Sequence, residues 1–192
     1  MATGLAGHFV AMAGNNAWAN HRLLCACKAL TPGEFAAPRT GFFPSLRATL
    51  NHILWVDVYY IDALERDPTV LKRYDDPPPD FADAAALYDA QRTSDRRLIA
   101  FCERQSAASL AEGLVLPRPN RTPPPTSVAS ILAHLFQHQI HHRGQAHAML
   151  SSTHVKPPQL DEFFLAEEAP LRAEELAALG LREADIWPDD RP

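Results

Sequence analysis

Residues 126–152 read TSVASILAHLFQHQIHHRGQAHAMLSS, and the reading of this stretch decides the fold class. It is rich in Ala, Leu, Gln and His, contains no proline and lacks the apolar–polar alternation of a strand, so it predicts a long helix. Its start is well marked. Thr126 or Ser127 can cap the first turn, directly after Pro123-Pro124-Pro125, which cannot continue a preceding helix. Its end is softer, between Ser151 and His154.

The same reading extends to the rest of the chain. Twelve of the seventeen prolines cluster in three connectors: Pro32 to Pro44, Pro68 to Pro79 (ending Pro77-Pro78-Pro79) and Pro117 to Pro125. Proline breaks a helix interior, so the connectors fix the helix count. Helices are expected at about 5–30, 44–66, 80–110 and 126–152, with no convincing strand or repeat. The expectation is an all-α protein, an up-and-down type four-helix bundle with room for one longer crossover. Beyond Thr153 a Pro-interrupted tail leads to a short amphipathic helix, with Pro170 at its start and Gly180 as its C-terminal cap. A single domain over 1–192 is expected, with the bundle at about 5–152 and a C-terminal extension over 153–192.

Composition excludes several classes. Of the 192 residues 46% are hydrophobic and 21% charged, which suits a folded chain rather than a disordered one. A net charge of −5 argues against nucleic acid, whose partners carry clustered basic surface. No run is long enough and free enough of charge and proline to span a membrane, and no basic segment precedes the first apolar stretch as in a secretory signal. A cytoplasmic location is the expectation. Cys25, Cys27 and Cys102 are an odd set with one pair only two positions apart, and they read as reduced core thiols.

Five of the nine histidines fall in the stretch quoted above: His134, His138, His141, His142 and His147. At about 100° per residue, Ile131, Leu135, His138, His142 and Met149 share one direction within about 40°. His134 and His141 lie at the margin of that face, and Arg143 and His147 point to the opposite side. Two imidazoles one turn apart in an apolar stripe need partners for their nitrogens. One reading is a hydrogen-bonded pair of core histidines. The other is a metal site, because i, i+4 spacing aims two ring nitrogens at a common point. A further ligand must then come from another helix. In Asn51-His52-Ile53-Leu54-Trp55-Val56-Asp57, periodicity favours Asp57, which shares the stripe of Leu46, Leu50, Ile53 and Leu64. Asp57 could equally be buried against an arginine. His52 lies off that stripe, but the helix is apolar nearly all round, so His52 can also face inward.

The stretch Leu135-Phe136-Gln137-His138-Gln139-Ile140-His141-His142-Arg143-Gly144-Gln145 resembles the C-terminal signature of the DinB/YfiT-like family, a His-x-x-x-His pair followed by Arg-Gly-Gln. Asn16-Ala17-Trp18-Ala19-Asn20 resembles that family's first helix, Thr49-Leu50-Asn51-His52-Ile53 its second, and Pro157-Pro158-Gln159-Leu160-Asp161-Glu162-Phe163-Phe164 the segment after its fourth. The resemblance implies a four-helix bundle, often a homodimer. It implies one divalent metal ion per chain, zinc or nickel first, with iron and manganese as further options. The ligands it implies are His52, His138 and His142. His134 and His141 flank the pair and leave a ligand swap open.

Three neutral nitrogen ligands with an open position describe a catalytic metal better than a structural one. The resemblance implies a metal-dependent enzyme acting on a small molecule, such as a thiol S-transferase using a low-molecular-weight thiol. A metal-dependent hydrolase and a stress-related metal-binding protein without turnover are the alternatives. Asp57, Tyr60, Gln145 and His141 are candidates for the pocket wall. Gly144 costs about 1 kcal/mol in a helix interior and faces away from the histidines, which suits a close helix–helix contact in a dimer.

Overall fold

Local capping chemistry sets where each helix begins. A computed structural model describes residues 4–77 and 79–187 of the chain; Pro78 and the end of the expected C-terminal extension, 188–192, lie outside the described residues. In order, the helices are α1 (Gly4–Cys27), α2 (Pro32–Ala36), α3 (Leu46–Leu64), α4 (Lys72–Asp75), α5 (Ala84–Glu103), α6 (Ala107–Ala111), α7 (Val128–Leu150), α8 (Ala169–Leu179) and α9 (Glu183–Ile186), with a 3₁₀ turn at Ala166–Glu168. Ser45, Asp83 and Ser127 each accept a hydrogen bond from a first-turn backbone N–H, and so fix the starts of α3, α5 and α7. Of the two cap candidates before α7, Ser127 is the one used, accepting from Ser130 N at 3.1 Å.

Two expectations are corrected. The third long helix stops at Glu103, because Ser106 and Ser109 form a reciprocal capping box that starts the separate helix α6. A strand pair also exists: β1 (Gly113–Leu114) lies antiparallel to β2 (Thr126–Ser127). Two residues are too few to show alternation in a sequence. The pair clasps the α6–α7 connector at the foot of α7.

The four long helices form an all-α bundle in which α1 and α3 each touch α5 and α7. Their directions follow from two apolar clusters. One gathers the N-terminal halves of α1 and α7 (Phe9, Val10, Ile131, Leu135) with the C-terminal halves of α3 and α5 (Tyr59, Ile61, Leu98, Phe101). The other gathers the opposite halves: Leu23 and Leu24, Leu46 and Leu50, Leu87, Ala146 and Leu150. Thus α1 and α7 run one way, and α3 and α5 the other. Because α3 and α5 are parallel, the segment between them, 65–83, must travel back along a helix about 28 Å long. That segment is the longer crossover, and it carries the second proline cluster.

The C-terminal extension packs on α1. Pro170 stands in the first turn of α8, and Gly180 ends it with φ 75°, the left-handed conformation glycine adopts without strain. Phe163 lies against Trp18, ring centroids 5.5 Å apart. Arg22 binds Glu162 and Glu175, both at 2.7 Å, and ties the extension to α1. Cys27 and Cys102 are buried and Cys25 half-buried, all free; burial pushes the Cys27 and Cys102 thiols up to about 12. None of the described helices is long and apolar enough to cross a membrane.

Candidate metal centre

Antiparallel packing of α3 on α7 brings His52 opposite the His138–His142 turn. His52 Nε2 lies 3.1 Å from His138 Nε2, and one nitrogen from each of His52, His138 and His142 falls within 4.8 Å of the others. Two nitrogens bound tetrahedrally to one ion at about 2.0–2.1 Å stand about 3.3 Å apart, so His52 and His138 already have that spacing, and His142 is near enough to join them by a side-chain adjustment. His138 Nδ1 is buried with no hydrogen-bond partner, so protein groups alone do not satisfy this ring.

Electrostatics keeps these rings in the form a metal needs. Burial, with the neighbouring histidines adding to it, lowers His138 to about 3; burial and His142 lower His52 to about 4. His142 is lowered by burial too, against a raising hydrogen bond from Gln145. All three are therefore neutral at pH 7, with lone pairs available.

Gln145 also sets the tautomer of His142. Its Oε1 lies 2.8 Å from His142 Nδ1 and, being an acceptor, places the ring proton there and frees Nε2. Its Nε2 donates to His141 Nε2 at 3.1 Å. Gln145→Leu is expected to weaken metal affinity roughly 10–100-fold without unfolding the bundle, measured by competition with a chromogenic chelator. Unchanged affinity would show that the tautomer needs no such partner.

The other candidates stand outside the trio, although the His141 ring lies against His142, centroids 4.8 Å apart. His141 is exposed and held by Gln145, and His134 is exposed beside Tyr60, ring centroids 5.5 Å apart. Asp57 is buried in the bundle centre, where it accepts from Gln91 Nε2 at 2.6 Å and from Gln139 Nε2. Among the described residues, no other cluster of three or more His, Cys, Asp or Glu side chains is placed to hold an ion.

The expected facing of α7 is corrected. Arg143, expected opposite the core, is buried, and its Nη1 donates to Asn16 and Asn20 of α1. His147 is half-buried, donating to the Pro158 carbonyl at 2.9 Å. The centre of the buried arc is Leu135, Gln139, Ala146 and Leu150, all fully buried. His138 and His142 sit at its edge toward α3, with His138 half-buried. The arc is wide because α7 packs on both α3 and α1, and a single-stripe reading averages the two faces.

Sequence reasoning missed two features. The first is an aromatic cover on the trio: the Phe43 ring lies 4.4 Å from His52 and 5.5 Å from His142, with Phe42, 77% exposed, beyond it. Both lie in a proline-bounded connector that offers no periodicity to read. The second is the polar centre. Asp95 accepts from Asn16 (3.1 Å), Asn20 (2.9 Å) and Gln91 (3.1 Å), and Arg143 supplies the cation. Burial raises Asp95 to about 6 and Asp57 well above the usual carboxylate range, and Asp95 adds to the latter shift. Gln139 donates its Nε2 to Asp57 Oδ1, and its own Oε1 is buried without a partner. Arg143 is lowered by burial to about 10 and stays cationic at pH 7.

The DinB family model matches residues 2–176, nearly the whole bundle and the start of the extension. The chain belongs to the DinB family. No match was found among curated proteins. In this DinB chain the match spans both helices that carry the trio, α3 and α7, and a three-histidine cluster on them is compatible with metal binding. It also spans α1 and α5, which carry the polar centre behind the trio.

Proposed function

We propose that His52, His138 and His142 hold one divalent metal ion and that the loaded protein is a metal-dependent enzyme, a thiol S-transferase before a hydrolase. The observation that carries this reading is the convergence of three neutral imidazoles, one nitrogen from each within 4.8 Å of the others, while the adjacent His141 turns its Nε2 to Gln145. Such a set suits zinc, nickel or iron and leaves a coordination position open. A divalent ion there lowers the pKa of a bound thiol or water and polarises a substrate oxygen.

The surrounding residues favour a thiol over water. Activating a water for hydrolysis draws on a nearby general base, and the buried carboxylate Asp57 is already engaged by Gln91 and Gln139. A thiol needs only to lose its proton, which goes to solvent. Its sulfur then forms a bond to an electrophilic carbon, whose leaving group departs with the bonding electron pair. Phe43 limits water at the trio, and Phe42 offers an apolar surface to the electrophile's body.

The test is a panel of low-molecular-weight thiols (glutathione, cysteine and a sugar-linked cysteine thiol) with a chromogenic aryl halide as acceptor. Zinc-loaded and chelator-stripped protein are compared. Metal-dependent thioether formation with one thiol is the expected result. Metal-dependent release from activated esters in the absence of thiol would move the assignment to hydrolysis.

A further inference from the structure

On the side of α7 away from His138 and His142, a cavity of about 450 Å³, with His147 on its lining, opens between α7, α1 and the segment 159–164. That volume lies within the range of small-molecule sites. Ile140, Gly144, Leu160 and Phe164 make its apolar walls, and Ile140 and Phe164 are 46% and 42% exposed. A Cβ built on Gly144 meets nothing within 4 Å, so packing inside the bundle gives no reason for a glycine there. What the position leaves is space at the cavity wall.

The second observation is Asn15. Its side chain lines this cavity and is only 8% exposed, yet its amide makes no hydrogen bond with the described residues. Its neighbours Asn16 and Asn20 are fully engaged with Asp95 and Arg143. Water in the cavity reaches that amide, so a molecule that fills the cavity must replace the water with partners of its own or leave the amide unsatisfied. Arg143 lines the same cavity, with its Nη1 already used on Asn16 and Asn20.

We propose that this cavity binds a small neutral molecule carrying an amide edge (a primary amide, lactam or ureide) on an apolar body. Asn15 Oδ1 accepts the ligand N–H and Asn15 Nδ2 donates to the ligand carbonyl, whose oxygen also gains from the Arg143 cation. The apolar walls take the body. A carboxylate ligand fits less well, because it has no N–H for Asn15 Oδ1 and meets Asp161 on the cavity lining. The proposal is independent of the metal, which lies across α7.

The test uses the full chain, ¹⁵N-labelled, with benzamide as probe and acetophenone and benzoate as matched controls. Benzamide is expected to shift the backbone signals of Ile140, Gly144 and Phe164 saturably, alike in metal-loaded and metal-free protein. The controls should bind at least about tenfold more weakly, the cost of one lost hydrogen bond in a buried site. Asn15→Leu should erase the preference for benzamide over acetophenone. Gly144→Leu, placed in open space, should block all three probes in a protein of unchanged fold. Equal binding of benzamide and acetophenone to the unaltered chain would overturn the proposal, as would the absence of saturable shifts at these positions. It would also fall if light scattering showed a second copy of the chain covering this face, with Gly144→Leu making the protein monomeric.

Discussion

His138→Ala is expected to take the protein from about one bound divalent ion per chain to none, with its helical circular dichroism unchanged. Two histidine ligands hold a divalent ion far less firmly than three, and the third cannot be replaced locally. His141 and His134 are exposed, His141 with its Nε2 taken by Gln145 and His134 against Tyr60, and both Asp57 oxygens are taken by Gln91 and Gln139. His52→Ala and His142→Ala should behave alike, whereas His134→Ala and His141→Ala should keep the ion. The helices persist in each variant because the apolar clusters that hold them are built from other residues. Elemental analysis of protein purified without an affinity tag reads the outcome. Retention of metal by His138→Ala together with its loss in His134→Ala would move the site one turn along α7. Collapse of helical content on metal removal would make the ion structural.

The bundle was legible because its punctuation is strong. Proline clusters, Ser127 before α7, and the Pro170 and Gly180 pair around α8 each act through local geometry that holds in any fold. Directions were not legible. Nothing local distinguishes a connector that reverses the chain from one, like 65–83, that carries it back along the bundle.

At the candidate site the i, i+4 pair was visible and its setting was not. Facing on α7 failed at Arg143, because a residue buried between two partner helices falls outside any single stripe. Asp57 was rightly placed in the core, but its role depends on partners from α5 and α7 that only the tertiary structure supplies. One signal for the polar centre was available. Leu87, Gln91, Asp95, Leu98 and Cys102 follow helical spacing on one face of α5, and two polar residues in such a series mark a buried network.

That network yields the second large effect. Arg143→Leu is expected to destabilise the protein by about 3–5 kcal/mol, because it leaves the Asp95 carboxylate buried without its cation. The melting temperature should fall by about 10 °C for a chain of this size. The deficit should depend on pH in a defined direction. Asp95 has a folded-state pKa raised to about 6 against an ordinary 3.8, so its favourable contribution is complete below 3.8 and is lost as pH rises through about 6. Without Arg143 the folded-state pKa rises further, and the loss continues to higher pH. The variant should therefore be closest to the unaltered protein near pH 5 and furthest from it above neutrality. Asp57→Asn is the matching control. Burial and Asp95 raise Asp57 well above the usual carboxylate range, which favours its uncharged form, so a neutral amide there should cost less than Arg143→Leu and depend little on pH. Denaturant melts at pH 5 and pH 8 separate the two carboxylates. A large, pH-dependent cost for Asp57→Asn, with a small one for Arg143→Leu, would mean that Asp57 carries the charge and that the cation is not what holds the centre together.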